Sequence, residues 1–385
     1  MRIGIDCRYL REPPRGAGHY LINVLSHFAI EKEGELSDDF FYLYSPGPIL
    51  YLPQARKFVI RNSKFRIFGG CVPMLGTLWF YTKGKNLIAE DELDTFWAPC
   101  DILPLGLPHK IQTVVSVLDL TYLYFPETMA NYNLLIHKLF FGPSLKIADY
   151  IITISNFTKQ CLLEHFRIPS EKIITIYCGV DDKFRPYEKR EVLTVLNRYS
   201  IHRPYILSVG TLEPKKNYLL LLKAYQAMKT DYDLIIIGKI GWKATVIFKM
   251  IDTLGLKERV KILGYVESDE LPFFYNGAEV FVFPSLYEGF GLPLLEAMAC
   301  GVPVICSNAS SLFEVSSNAA LHFNPYSMDE LVFQIERLIG NNELKQTLRA
   351  KGFARAKEFS WEKTAKQIFA VLKGQSIDPA PISTV

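Results

Sequence analysis

The sequence predicts an α/β protein made of two doubly wound domains, and three observations carry that prediction. The first is a recurrence of short, continuously apolar or β-branched runs: RIGID, FYLYS, DTFWAP, QTVVSVLD, YIITIS and KIITIY, then YILSVG, DLIIIG, RVKILGYV, VFVFPS, VPVICS and ALHFN. Strands that are apolar at every residue belong to parallel sheets covered on both faces. The second is that helix-compatible segments separate these runs, as βαβ crossovers require. The third is a pause at DDKFRPYEKREVLTVLNRYSIHRP, Asp181–Pro204, where charge and proline displace the strand pattern; it reads as the link between two Rossmann-like domains. A length of 385 residues suits two such domains better than one core. The boundaries expected are 1–185 for a first domain, 200–358 for a second, and 375–385 for a disordered tail. A helix at about 360–374, with Thr364, Ile368 and Leu372 on one stripe beside Ala365 and Phe369, is expected to return to the first domain.

Composition narrows the function. Lys and Arg total 43 against 40 Asp and Glu, a near-balance that argues against a nucleic-acid binder and against a disordered acidic chain. The cysteines, Cys7, Cys71, Cys100, Cys161, Cys178, Cys300 and Cys306, are odd in number and include no C-x-x-C pair. That pattern fits a reduced cytoplasmic protein and offers neither a disulfide scaffold nor a zinc site. No metal is implied. The opening MRIGIDCRYL carries Arg2 and Asp6 around few apolar residues, so it reads as a first strand and not as a signal peptide. No run reaches the roughly 18 apolar residues of a membrane-crossing helix; NLLIHKLFFG is interrupted by His137 and Lys138. Any membrane role is expected to be peripheral.

Three turns carry chemistry. RGAGHYLINVL, Arg15–Leu25, follows the first strand and opens an amphipathic helix, a place where bare backbone N–H groups meet a ligand phosphate. Gly16 and Gly18 permit that approach, or simply make a tight turn; the full G-x-G-x-x-G pattern fails because Leu21 stands at its third glycine. Asp38 and Asp39 precede FFYLYS instead of following it, so a dinucleotide oxidoreductase is disfavoured. YILSVGTLEPKKNYLLLLKAY sets Gly210, Thr211, Glu213, Lys215 and Lys216 between a strand and a helix. The two lysines can neutralise a diphosphate or form a solvated basic turn, and Asn217 is expected to cap the helix.

The third turn is YEGFGLPLLEAMACGVPVI, Tyr287–Ile305, with Glu288 in a loop and Glu296 about one turn into a helix that has Pro293 in its first turn and Gly301 after its end. Its start leaves amide N–H groups from about Phe290 to Leu292 facing outward. The two carboxylates suit opposite ends of one ligand with vicinal hydroxyls, a sugar and a ribose, better than a proton-sharing hydrolytic pair. The bland alternative is that Glu296 answers the helix dipole.

Glu288 and Glu296 form an E-x7-E motif inside PSLYEGFGLPLLEAMACGVPVI, and VGTLEPKKN, ILGYVESDELPFFYNGA and FSWEKTA accompany it. With these landmarks the sequence resembles the retaining glycosyltransferases of family 4 over nearly its whole length, and among them bacterial mannosyltransferase-like enzymes of surface-polysaccharide synthesis. The resemblance implies the GT-B fold, two facing Rossmann-like doubly wound domains with a cleft between them. It implies a metal-independent hexosyltransferase with no cofactor beyond its substrate, a nucleotide-diphosphate sugar. Position by position, it implies that Glu288 holds donor-sugar hydroxyls with the amides of Phe290, Gly291 and Leu292 assisting, and that Glu296 holds the ribose. Lys216, with Lys215 and the Gly210–Thr211 turn, would balance the leaving diphosphate. Gly16, Ala17 and Gly18 would contact that diphosphate from the other domain, and Gly264 to Val266 would line the base pocket through the backbone. Two positions depart from the family: Thr211 stands where many relatives carry arginine, and Leu118, in SVLDLTYLYFPE, where they carry histidine. Asp119 beside it is read as an acceptor-side catalytic group or as a local cap.

The acceptor is expected to be a glycan or a polyisoprenoid-linked sugar, met by a cytoplasmic protein peripheral to the inner membrane face. Phe40–Ala89 contains no acidic residue and carries Arg56, Lys57, Arg61, Lys64, Arg66, Lys83 and Lys85, with Phe58, Phe65, Phe68, Leu75, Leu78, Trp79 and Phe80 among them. Basic residues mixed with exposed aromatics favour an anionic membrane surface at about 1 kcal/mol per cation; the alternative is a solvated positive face over a partly buried helix. Two rival functions stay open: a phosphorylase or sucrose-synthase-like enzyme of the same fold, and a catalytically degenerate nucleotide-sugar-binding protein, prompted by Leu118 and Thr211.

Overall fold

The computed structural model describes residues 1–11, 16–29, 39–53, 58–62, 79–80, 84–228 and 230–377. The chain divides into two units. The first takes Met1–Tyr122, Asn131–Cys178 and the helix that starts at Trp361; the second takes Leu123–Ala130 and Gly179–Ser360.

Each unit is built on one parallel sheet. In the first, β1 Arg2–Asp6, β2 Phe40–Ser45, β3 Phe58–Asn62, β4 Thr95–Ala98, β5 Gln112–Val117, β6 Tyr150–Thr153 and β7 Ile173–Thr175 lie in the order β3-β2-β1-β4-β5-β6-β7. In the second, β8 Tyr205–Val209, β9 Asp233–Ile237, β10 Val260–Gly264, β11 Val280–Phe283, β12 Val304–Ser307 and β13 Ala320–Phe323 lie in the order β10-β9-β8-β11-β12-β13. Every pairing is parallel. The apolar runs explain this: β8, β9 and β11 are buried at every residue, as strands covered on both faces must be. These are Rossmann-like sheets. Both strand orders reverse beside the unit's first strand, between β1 and β4 and between β8 and β11. The carboxyl ends of the strands flanking such a switch point form the crevice in which doubly wound sheets bind ligands.

Aromatic packing fills the first unit. Trp97 in β4 is fully buried, donates its indole N–H to Ser116 Oγ at 2.9 Å and meets Tyr20, on the helix Ala17–Ala29, edge-on at 6.1 Å. The helix Trp361–Leu372 buries Thr364, Ala365, Ile368 and Leu372 along the stripe read from its spacing, with Trp361 and Val371 buried as well and Phe369 half-buried. Within the first unit, Trp361 meets Tyr20 at 6.2 Å, Thr364 donates to the Tyr177 carbonyl at 2.7 Å, and Thr95 donates to the Leu372 carbonyl at 2.8 Å.

Three expectations need correction. Asp181–Pro204 is not a bare link: Lys189–Arg198 is a helix closed by a reciprocal capping box between Glu188 and Glu191, and Val192, Val195 and Leu196 bury one face. Gly277 is required beside it, since a Cβ there would lie 2.5 Å from Leu196 Cδ1. FVIRN, read only as basic surface, forms the edge strand β3, where Arg61 pairs with Asp91 and lies over the Tyr42 ring at 5.6 Å. Third, of the aromatics expected to be exposed there, those that are described are not: Trp79 and Phe80 are buried, and Phe58 is half-buried against Phe41 at 5.8 Å. Arg56, Lys57, Lys64, Phe65, Arg66, Phe68, Leu75, Leu78 and Lys83, and 378–385 of the expected tail, lie outside the described residues.

Among the described residues the cysteines are free thiols, no side-chain cluster is composed to hold a metal ion, and no helix is long and apolar enough to cross a membrane.

Candidate active site

The second unit's switch point is built from main chain first. β8 runs into Gly210, whose N–H bonds the Ile237 carbonyl at 2.9 Å and whose carbonyl accepts from Tyr218 Oη at 2.8 Å. Gly238, at the end of β9, donates to the Gly264 carbonyl at 2.8 Å, and a Cβ on it would stand 1.8 Å from the Gly210 oxygen. Gly210, Gly238 and Gly264 thus finish three neighbouring strands with no side chain. Thr211 is half-buried, its methyl 2.6 Å from where a Cβ on Gly241 would sit.

Beyond Gly210 a single tight turn, Pro214–Lys216, carries the two lysines, and the N–H of Leu286, in the loop after β11, bonds the Lys215 carbonyl at 2.8 Å. The loops from both sides of the switch point are therefore joined. Lys215 lies 3.8 Å from Glu213. Lys216 Nζ pairs with Glu288 Oε1, their side chains only 13% and 12% exposed, and also lies over the Phe283 ring at 5.2 Å. Asn217 does not cap the next helix. Its backbone is left-handed at φ 58°, and its amide donates to the Pro325 carbonyl at 2.8 Å.

The Glu288 loop is fixed by two serines. Glu288 N–H donates to Ser310 Oγ at 2.9 Å, while the single hydroxyl proton of Ser311 is shared between the carbonyls of Glu288 and Phe290, each 2.9 Å from its Oγ. Gly291 takes φ 115°, a left-handed value that favours glycine, and starts the helix Leu292–Ala299. Among the described residues the amides of Gly291 and Leu292 have no acceptor, which leaves two donors at a helix N-terminus. Glu296 sits one turn on and accepts from Tyr275 Oη at 2.8 Å. Burial pushes its carboxyl up to about 7, with the negative Asp181 adding to the rise and the Tyr275 hydrogen bond and Lys183 opposing it. Val266 is buried; Tyr265 beside it is half exposed and carries Lys239 Nζ over its ring at 4.3 Å.

The remaining predicted residues lie in the first unit. Gly16 has φ 34° and precedes the helix that Ala17 and Gly18 begin. Asp119 Oδ1 accepts the Thr121 N–H at 2.8 Å, closing a turn at the start of the short helix Thr121–Tyr124. Its neighbour Leu118 donates N–H to Asp101 Oδ1 at 3.2 Å, and Asp101 also faces His137 Nε2 at 3.4 Å. Burial lowers the His137 pKa, but the hydrogen bond and charge of Asp101 outweigh it and hold the imidazole above its usual value.

Two family descriptions match this sequence, Glycosyl transferases group 1 over residues 199–355 and Glycosyltransferase Family 4 over residues 52–184. Over 273 residues it is 35% identical to O-antigen chain mannosyltransferase B of Escherichia coli, covering 69% of this chain and 72% of that protein. The chain belongs to glycosyltransferase family 4. This family 4 chain is also 31% identical to the serotype-specific mannosyltransferase WbdA of Escherichia coli over 57% of its own length and 28% of that longer protein. A solved sucrose-phosphate synthase from Thermosynechococcus elongatus superposes with a TM-score of 0.80 at 19% identity, covering 97% of this chain and 98% of that one, a likeness of fold alone.

For a family 4 glycosyltransferase, the sheet order accounts for the meeting of Lys216 with Glu288, 72 residues apart in sequence, because β8 and β11 are neighbours. Sequence reading missed Tyr275, Ser310, Ser311 and Gly238. Only Gly238 left a signal, a glycine ending DLIIIG as Gly210 ends YILSVG.

The Glu296 environment gives a stability prediction. With its folded value raised from 4.5 to about 7, the native state keeps a proton that the unfolded chain releases, so stability falls as pH rises through that window. The slope is about 1.4 kcal/mol per pH unit at most. Glu296→Gln keeps an acceptor for Tyr275 and should flatten the slope. Urea unfolding from about pH 4.5 to about pH 8 reads it, and an unchanged slope in the variant rules out Glu296 as its source.

Proposed function

We propose that this glycosyltransferase is a retaining enzyme that moves a mannosyl unit from GDP-mannose to a glycan or polyisoprenoid-linked acceptor. The observation that supports the reading most is the half-hidden Lys216–Glu288 pair at the β8/β11 switch point, with two unpaired helix-start amides and Glu296 beside it. Such a pair answers a donor with both halves. Diphosphate oxygens attract the ammonium, and sugar hydroxyls donate to the carboxylate. The names of the Escherichia coli relatives, both mannosyltransferases, motivate the choice of mannose.

In the proposed reaction the bond from the anomeric carbon to the phosphate oxygen breaks, and a bond to the acceptor oxygen forms on the same face. The acceptor's proton passes to the departing phosphate oxygen. The charge that develops there is met by Lys216, Lys215 and the amides of Gly291 and Leu292, which need no reorientation at the moment of transfer. Glu288 holds the sugar and Glu296 the ribose. Asp119 is assigned to the acceptor side.

A thermal-shift panel of nucleoside diphosphates tests the donor. GDP at 100 times its dissociation constant should add about 2.7 kcal/mol, more than UDP or ADP at the same concentration. No shift with any of them sinks the reading. A GDP shift without GDP release from GDP-mannose and acceptor favours a binding protein, a second reading prompted by the methyl of Thr211 standing where the family resemblance implies an arginine.

A further inference from the structure

We infer that the loop after β9 and the helix it feeds form a surface of the second unit that docks on an anionic lipid bilayer. Between Asp233 and Asp252 there is no acidic residue, and the segment Lys239–Lys249 interleaves Lys239, Lys243 and Lys249 with Ile240, Trp242, Val246 and Phe248. All four apolar side chains are exposed, Ile240 by 71% and Trp242 by 52%. The helix Thr245–Thr253 buries Ile247 and Ile251 and packs Met250 partly against the core, which leaves Val246, Phe248 and Lys249 turned to solvent.

This exposure is a fixed presentation. Leu212 N–H bonds the Lys239 carbonyl at 2.9 Å and Gly241 N–H bonds the Leu212 carbonyl at 3.1 Å, holding the backbone on both sides of Ile240. Ala244 is buried and anchors the far end of the loop. The chemistry favours lipid over a protein partner. Cores of protein interfaces are rich in aromatics but depleted in lysine, whereas here lysines alternate with the apolar residues on the scale of single positions. That mixture suits a plane of anionic headgroups, with lysines at phosphate level and a tryptophan at the boundary of the acyl region. The surface is distinct from the basic stretch Phe40–Ala89 of the first unit and does not depend on the donor proposed above.

Sedimentation with vesicles tests it. At low salt the protein should pellet with phosphatidylglycerol-containing vesicles and not with phosphatidylcholine alone. Lys243→Ala/Lys249→Ala should lower partitioning about 30-fold, the loss of two cations at about 1 kcal/mol each, and Trp242→Ser/Phe248→Ser should lower it about tenfold or more. Trp242→Phe should retain binding but lose the blue shift of tryptophan emission on vesicle addition. Because these residues are exposed, unchanged melting temperatures verify folding. The inference is overturned if the wild type stays in the supernatant, if both loop variants pellet like the wild type, or if Leu135→Ser/Leu139→Ser, exposed in the first unit, abolishes binding instead.

Discussion

Replacing Lys216 with alanine should lower turnover by about tens- to a thousandfold, the range for removing one donor that faces charge developing in a transition state. Measured as kcat with GDP-mannose and a lipid-linked acceptor, the loss should exceed any change in KM, because the ammonium matters most as the phosphate departs. The ion pair complicates the reading. Removing Lys216 alone leaves the 12%-exposed Glu288 without its cation, and breaking a buried pair costs about 3–5 kcal/mol. Lys216→Met/Glu288→Gln removes both charges and should regain most of that stability while turnover stays low. Activity that returns together with stability would assign Lys216 a structural role, and undiminished turnover in Lys216→Ala would take it out of the mechanism.

The second large effect is expected from a methyl group. Gly238→Ala places a Cβ 1.8 Å from the Gly210 carbonyl oxygen, a clash with backbone that no side-chain rotation relieves. Overpacking of this kind costs about 3 kcal/mol, which for a unit of this size lowers Tm by about 6–12 °C at about 2–4 °C per kcal/mol. Function should fall further than stability, because the strand end displaced is the one that leads into Lys215 and Lys216. Calorimetry and a nucleotide thermal shift on the same sample separate the two. A Tm within about 2 °C of the wild type with undiminished GDP binding would show that the strand ends separate freely, contrary to the laced geometry.

Much of the fold was legible because parallel strands buried on both faces leave continuous apolar runs, and twelve such runs, from RIGID to ALHFN, became strands. The exception, β3, sits at a sheet edge, where its short apolar run Phe58–Ile60 gives way to Arg61, which reaches Asp91, and basic residues flank it in sequence. The helix Lys189–Arg198 was hidden for a related reason: three buried apolar residues suffice to dock it, and charged and polar residues with the exposed Leu193 make up the rest. In the site, Glu288, Glu296 and Lys216 were legible through spacing around glycine and proline turns. Their partners were not. Tyr275 reaches Glu296 across 21 residues, and Ser310 and Ser311 hold the Glu288 loop from a different turn, contacts set by which strands lie side by side.

The glycine-ended strands have an evolutionary consequence. Gly210, Gly238 and Gly264 end three strands of the second sheet as bare peptide units laced to their neighbours, Gly210 to Ile237 and Gly238 to Gly264, with a geometry that stays the same whatever side chains surround it. Under the proposed function, a donor beside this rim meets geometry that no side chain alters, and preference is tuned at the periphery, through Tyr265 or the Glu288 loop. On that reading, descendants of such a protein can exchange one sugar nucleotide for another by a few peripheral substitutions while the glycine rim is inherited unaltered.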